Sequence, residues 1–205
     1  MPEPIPMSET HNLTDEMIAG RRPDSHDHLP EDMPRWMSSI IVTIDTISLW
    51  TGRVVAWITL PLMLVIVYEV MSRYLFTAPT TWAYDISRML YGAMFMLGAA
   101  YALSKGVHIR ADFIYRRWPV KVQGWVDTLL YLVCYFPTMG IFLFVSTEWA
   151  WISVSRGERG TDTAWMPLLG PLKSCVPIGI SFLILQGISE LLKSVHAARK
   201  GKWPQ

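Results

Sequence analysis

Glu69, Arg73, Asp85, Arg88, Glu148 and Lys173 flank one set of ends of the apolar stretches in this chain, and Arg53, Lys105, Asp127 and Glu190 flank the other. Ionisable groups at such places pair across helices, snorkel to water, or contact a second membrane protein. Each layer is balanced in sign, which favours paired or solvated edge charges that fix helix depth. No charge falls midway along a stretch, so the pattern gives little support to a proton or ion pathway through this chain alone. Asp85 and Arg88, three apart on one helical face, suit a local pair or a contact with a second subunit.

Other reactive side chains carry less. His11, His26 and His28 lie in a polar stretch with no neighbouring Cys, and Cys134 and Cys175 have neither metal-ligand spacing nor a disulfide framework. His108 stands among Arg110, Arg116 and Arg117. It reads as a hydrogen bonder that orders its loop or as a lipid-headgroup contact, since no nucleophile or metal partner is placed near it in sequence. Arg110 and its basic neighbours serve topology in preference to recognition of anionic lipid. A net charge of +1 implies no nucleic-acid partner. The chain is thus expected to be no enzyme and to need no cofactor or metal.

The elements that must position these groups follow from hydropathy. Val54–Tyr68, Met89–Ser104, Thr128–Thr147 and Ser174–Ser189 contain no Asp, Glu, Lys or Arg. At 15 to 20 residues each they take in their flanking charges when crossing a ~30 Å hydrocarbon layer. In lipid the backbone must satisfy itself, so each is a helix. An apolar content of 51% agrees. The expected architecture is an all-α membrane protein with four transmembrane helices, and a membrane domain over residues 51–195.

Residues 1–33, rich in Pro, Glu, Asp, His and Asn, are expected to form a disordered cytoplasmic tail. From Pro34 the pattern changes. Trp36, Ile40, Ile44 and Ile47 recur at helical intervals, with Ser38, Ser39, Asp45 and Ser48 between them, so residues 34–50 form an amphipathic helix or an extension of the first span. Residues 196–205 are expected as a second cytoplasmic tail.

Thirteen of the 18 Lys and Arg residues lie in the segment up to Arg53, in the 105–121 loop, or from Lys193 onward; five lie in the other two loops. The positive-inside rule therefore places both termini and the 105–121 loop on the cytoplasmic side. Trp82, Trp118, Trp125, Trp149, Trp151 and Trp165 fall near span ends, where aromatic belts sit. Gly98, Ala102 and Gly106 recur every four residues and permit close approach of a neighbouring helix, inside the bundle or beyond it. Pro61, Pro137 and Pro177 fall within spans, where kinks are tolerated.

Three groups of motifs carry a family resemblance: Arg73-Tyr-Leu-Phe with Trp82-Ala-Tyr-Asp85-Ile-Ser-Arg88; Gly98-Ala-Ala-Tyr-Ala-Leu-Ser-Lys-Gly-Val-His108-Ile-Arg110-Ala-Asp112; and Gly157-Glu-Arg-Gly-Thr-Asp-Thr-Ala-Trp165 with Pro171-Leu-Lys173, Pro177-Ile-Gly179 and Leu185-Gln186-Gly187-Ile-Ser-Glu190. In order and spacing they resemble the small membrane subunit of tripartite ATP-independent periplasmic (TRAP) transporters, over about residues 50 to 195. Where an acidic pair often stands before the second span, this chain has Tyr84-Asp85. The resemblance implies a support for a large membrane subunit that carries an organic acid with an ion gradient, after capture by a periplasmic binding protein. Candidate contacts with that subunit or with membrane lipids are Glu69, Arg73, Trp82, Asp85, Arg88, Gly98, Ala102, His108, Arg110 and Lys173. Two other classes of small helical membrane protein fit less well. A respiratory-enzyme membrane anchor would hold haem through axial histidines inside the spans, and a small multidrug exporter would centre an acidic residue in its first span, whereas Glu69 ends one.

Overall fold

The computed structural model describes residues 33–105 and 119–201. The tail expected at the N-terminus, apart from Met33, lies outside them, as do Gly106, His108 and Arg110. The described chain is helical: α1 (Arg35–Ala56), α2 (Thr59–Leu75), α3 (Ala83–Ser104), α4 (Val120–Leu130), a π-helical turn (Tyr131–Tyr135), α5 (Phe136–Ser155) and α6 (Gly170–Lys200). Taken as α1–α2, α3, α4–α5 and α6, these make four helices long and apolar enough to cross a membrane.

Proline sets the local geometry. Pro34 and Pro119 immediately precede α1 and α4, where a fixed φ helps a helix start and the missing N–H is no loss. Pro61 has no N–H for the Trp57 carbonyl four residues back. The chain tightens there, Leu60 N–H donating to Trp57 O at 3.2 Å and Ile58 N–H to Val55 O at 3.0 Å, and α1 gives way to α2. Pro137 has the same effect later: ahead of it the ladder widens to a π turn in which Phe136 N–H reaches Tyr131 O. The spans are thus less regular than expected, yet both breaks keep their backbone groups bonded. At the far end Gly201, at φ 69°, adopts the left-handed conformation that closes α6.

α6 is the spine. It packs against α1, α3, α4 and α5, and a third of its apolar window is buried, more than in any other span. Two glycines allow the closest crossings: a Cβ at Gly179 would meet the Met96 carbonyl of α3, and one at Gly124 of α4 the backbone of Ala198. The expected stripe of small residues has a lesser part: a Cβ added at Gly98 would lie an ordinary 3.8 Å from Val55 of α1. Its neighbour is internal.

Polarity is inverted relative to a soluble bundle. Asp45, Ser48, Asp85, Lys173, Gln186, Ser189, Glu190, Lys193 and Ser194 are buried, while Trp50, Leu64, Phe95, Phe144 and Trp151 face outward. Hydrocarbon outside and hydrogen-bonded polar groups inside satisfy both kinds of side chain. A small apolar cluster of Met33, Met37 and Ile41, with Leu192 against it, seals the end where α1 begins.

Gly124→Val and Gly179→Val are each expected to lower stability in detergent by at least ~1–3 kcal/mol, because backbone cannot retreat from the added carbons. Gly140→Ala, with nothing within 4 Å of the new Cβ, should be neutral or stabilising. Melting curves of the three variants check the contrast.

Candidate functional site

The ionisable groups gather at the two ends of the bundle. At the terminal end, where α1 begins and α6 finishes, the Asp45 carboxylate is 2% exposed. Its Oδ1 accepts from Gln186 Nε2 and from Ser189 Oγ, both at 2.8 Å, and its Oδ2 accepts from Lys193 Nζ at 2.8 Å. Lys193 Nζ also donates to Glu190 Oε1 at 3.0 Å, and Ser48 Oγ donates to Gln186 Oε1 at 2.6 Å. Positions 186, 189, 190 and 193 share one face of α6 by helical spacing, as 45 and 48 do on α1. Antiparallel packing of α1 on α6 brings the two faces together.

Sequence reasoning placed Glu190 in an edge layer and gave Asp45 and Ser48 to the polar side of an amphipathic helix. Their joint cluster with Gln186, Ser189 and Lys193 was missed. The signal was present in the polar spacing on both helices, but neither segment alone says that these faces meet.

At the loop end, each connection is tied to a helix end by charge. Glu69 accepts from Arg73 one turn on, and its second oxygen accepts from Thr80 N–H at 3.1 Å and from the Thr80 hydroxyl. Ser72 Oγ donates to Ala78 O at 2.7 Å, and Tyr68 stacks on Trp82 with centroids 5.7 Å apart. The α2–α3 turn is therefore pinned from both sides. Asp85, fully buried in the first turn of α3, accepts from the Thr163 hydroxyl, and Arg88 bridges Asp85 and Asp162. A carboxylate there also suits the positive end of the helix dipole.

The α5–α6 loop is further held by Lys173, which pairs with Glu158 and lies 4.4 Å from the centroid of the Trp149 ring. Backbone bonds Gly160 N–H to Pro167 O (2.8 Å) and Leu169 N–H to Glu158 O (2.9 Å) close the loop on itself. Of the candidate residues, Glu69, Arg73, Trp82, Asp85, Arg88 and Lys173 are brought to this end. Gly98 lies away from it, facing Val55 of α1, and Ala102 is half-buried on α3. Asp162, Thr163 and Glu158 belong to the Gly157–Trp165 motif, but their contacts with Asp85, Arg88 and Lys173 were not foreseen because loop spacing gives no periodic cue.

These arrangements are fasteners, with each carboxylate answering a cation or a hydroxyl from another turn or another element. Among the described residues no group of three or more His, Cys, Asp or Glu could hold a metal ion, and both thiols are free. Beside Lys173 and Trp149 a cavity of about 330 Å³ opens between α3, α5 and α6, lined otherwise by Tyr91, Gly92, Phe95, Met96, Leu172 and Val176.

Two measurements test the fasteners. Lys193→Met leaves the buried Asp45 carboxylate facing apolar carbon and should cost about 3–5 kcal/mol, whereas Asp45→Asn combined with Lys193→Met should cost less than the lysine change alone. Additive losses in a double-mutant melting cycle would contradict the pairing. The Lys173 hydrogen bond holds the Glu158 carboxyl below its usual range. A lowered native pKa contributes stability that is fully present above the ordinary carboxylate value and is lost as pH falls through the lowered one. Protease nicking of the 156–169 loop should accordingly rise in acid, and Glu158→Gln should raise it at neutral pH and flatten that dependence.

Residues 62–197 match the family model described as "Tripartite ATP-independent periplasmic transporters, DctQ component". Over 81 residues, 40% of this chain, the sequence is 27% identical to the sialic acid TRAP transporter permease protein SiaT of Haemophilus influenzae (strain 86-028NP). The aligned stretch makes up 13% of that relative's length. The family match runs from α2 to near the end of α6, taking in all the fasteners at the loop end and the α6 half of the Asp45–Lys193 cluster. This chain belongs to the DctQ component family of TRAP transporters.

Proposed function

We propose that this chain is the small permease subunit that braces a large membrane subunit during ion-gradient-driven uptake of a small organic acid, delivered by a periplasmic binding protein. The observation that carries the reading, beside family membership, is how the ionisable groups are used. Asp45, Lys193, Asp85, Arg88 and Lys173 are engaged in bonds that fix helix against helix or loop against helix. A transport site of the secondary type uses unwound half-helices with free carbonyls near the midplane. Here the break at Trp57 and Ile58 and the π turn stay hydrogen-bonded, which suits a support better than a conduit.

The relative supports a larger assembly. Its aligned stretch is a small part of a much longer permease, which fits this chain acting beside a larger membrane component. Four spans return the chain to its starting side, and the excess of Lys and Arg at the termini and the 105–121 loop supports a cytoplasmic assignment for that side. The loop end then faces the periplasm.

Reconstituted vesicles test the function. Large subunit, binding protein and this chain together should take up substrate when an ion gradient is applied, and leaving this chain out should abolish or strongly reduce uptake. Asp85→Asn and Arg88→Ala should weaken assembly or rate with substrate preference unchanged. Gradient-driven uptake by this chain alone, or altered preference in those variants, would overturn the reading. Orientation has its own check: reporter fusions after Gln205 should show cytoplasmic activity, and periplasmic activity would reverse the assignment.

A further inference from the structure

Glu148 of α5 stands apart from the other carboxylates near the loop end. Glu69, Asp85 and Glu158 each answer a cation or a hydroxyl, whereas Glu148 is exposed and has no partner among the described residues. The buried face of α5 is Ser146, Ala150 and Ser153. At ~100° per residue all three lie within ~40° of the point opposite Glu148, so the carboxylate leaves the bundle directly outward. Phe144, Val145, Trp151 and Ile152, from 38% to 72% exposed, surround it on the same side.

Depth decides what can answer this charge. Glu148 stands seven residues, or ~10 Å, before Ser155 at the end of α5. The neighbouring Trp149 meets Lys173, and a Cβ at Gly170 would meet Val154. Glu148 is therefore level with the start of the charge-free Ser174–Ser189 stretch of α6. Helix side chains lean toward their own N-terminus, and α5 ascends from the terminal end. The carboxylate accordingly leans away from the nearer headgroups and toward hydrocarbon, on a stem too short to snorkel back. Arg53 of α1, also exposed and unpaired among the described residues, shows the contrast. Its neighbour Gly52 faces Tyr101 near the end of α3, and its long side chain leans toward that nearer surface, where it snorkels to water.

Other spans expose apolar faces that lipid satisfies, but lipid chains do not satisfy a carboxylate. Ionisable groups in such places are answered by an opposite charge. A second copy of this chain has none to offer at that depth: Arg73, Arg88 and Lys173 are already paired, and Arg156 and Arg159 stand beyond the end of α5. The cation must come from a different membrane protein.

We infer that the Glu148 face of α5 docks on a transmembrane helix of the large permease subunit that carries a Lys or Arg at matching depth among apolar residues. The inference rests on the support function proposed above and names the surface through which that support acts.

Glu148→Gln tests it, removing the charge with little change of shape. Alone in detergent the variant should melt no lower than the unsubstituted chain, since no internal bond is lost. In the complete transporter, made in cells and purified through a tag on this chain, it should retain less of the large subunit by about tenfold or more, because the partner cation is left unpaired. Glu148→Asp should retain more than Glu148→Gln. A photoreactive residue at Val145 or Ile152 should crosslink to a large-subunit segment holding a Lys or Arg among apolar residues, and changing that residue to Glu should restore retention to Glu148→Lys. Equal or greater retention by Glu148→Gln, the result for a carboxylate that merely faces lipid, would overturn the inference and leave the support function standing. Crosslinks from both positions only to lipid or to a second copy of this chain would do the same. Absence of any large subunit co-purifying with the unsubstituted chain would overturn both.

Discussion

The Lys193 ammonium held between the Asp45 and Glu190 carboxylates is the contact on which the arrangement of this bundle depends. It joins the first helix to the last, and it does so at an angle that only one rotation of α1 satisfies. Ionic groups out of water lose hydration that their mutual attraction offsets only with good geometry and further hydrogen bonds. Gln186, Ser189 and Ser48 provide those bonds. The cluster therefore specifies orientation more than it adds stability. With α1 fixed, its tryptophans must face away from α6.

The same economy governs the other end. A membrane bundle has little hydrophobic drive to bring its helices together, since lipid is as apolar as leucine. Close crossings at Gly179 and Gly124 provide dispersion contact, and paired charges provide direction. Asp85 with Thr163, Arg88 with Asp162, and Lys173 with Glu158 each tie a loop to a helix start. Loops that would otherwise vary in position become part of one fixed surface.

Much of this was legible in the sequence because a lipid environment imposes strict patterns. Charge-free stretches gave the spans, and the residues flanking them included Asp85, Arg88, Lys173 and Glu190, all of which the structure shows in polar contacts. Three things were not legible. Asp45 and Ser48 read as a solvated face because an amphipathic helix looks the same whether its polar side meets water or another polar helix. Thr163, Asp162 and Glu158 lay in a loop, where no period marks what points inward. Finally, Gly98 and Ala102 stood out by their regular spacing, yet the tightest crossing of α3 is made by Gly179 of α6 on the Met96 backbone, and isolated glycines announce no partner.

If the chain braces the large subunit as proposed, it stays fixed while other parts of the assembly move. Spin labels at Leu64 of α2 and Ile141 of α5, both exposed, report the separation of two spans that lie on different sides of the bundle's sequence. In the reconstituted transporter the distance distribution should be the same with and without substrate-loaded binding protein and an ion gradient. A shift approaching one helical turn, ~5 Å, would contradict the account and make this chain a moving part.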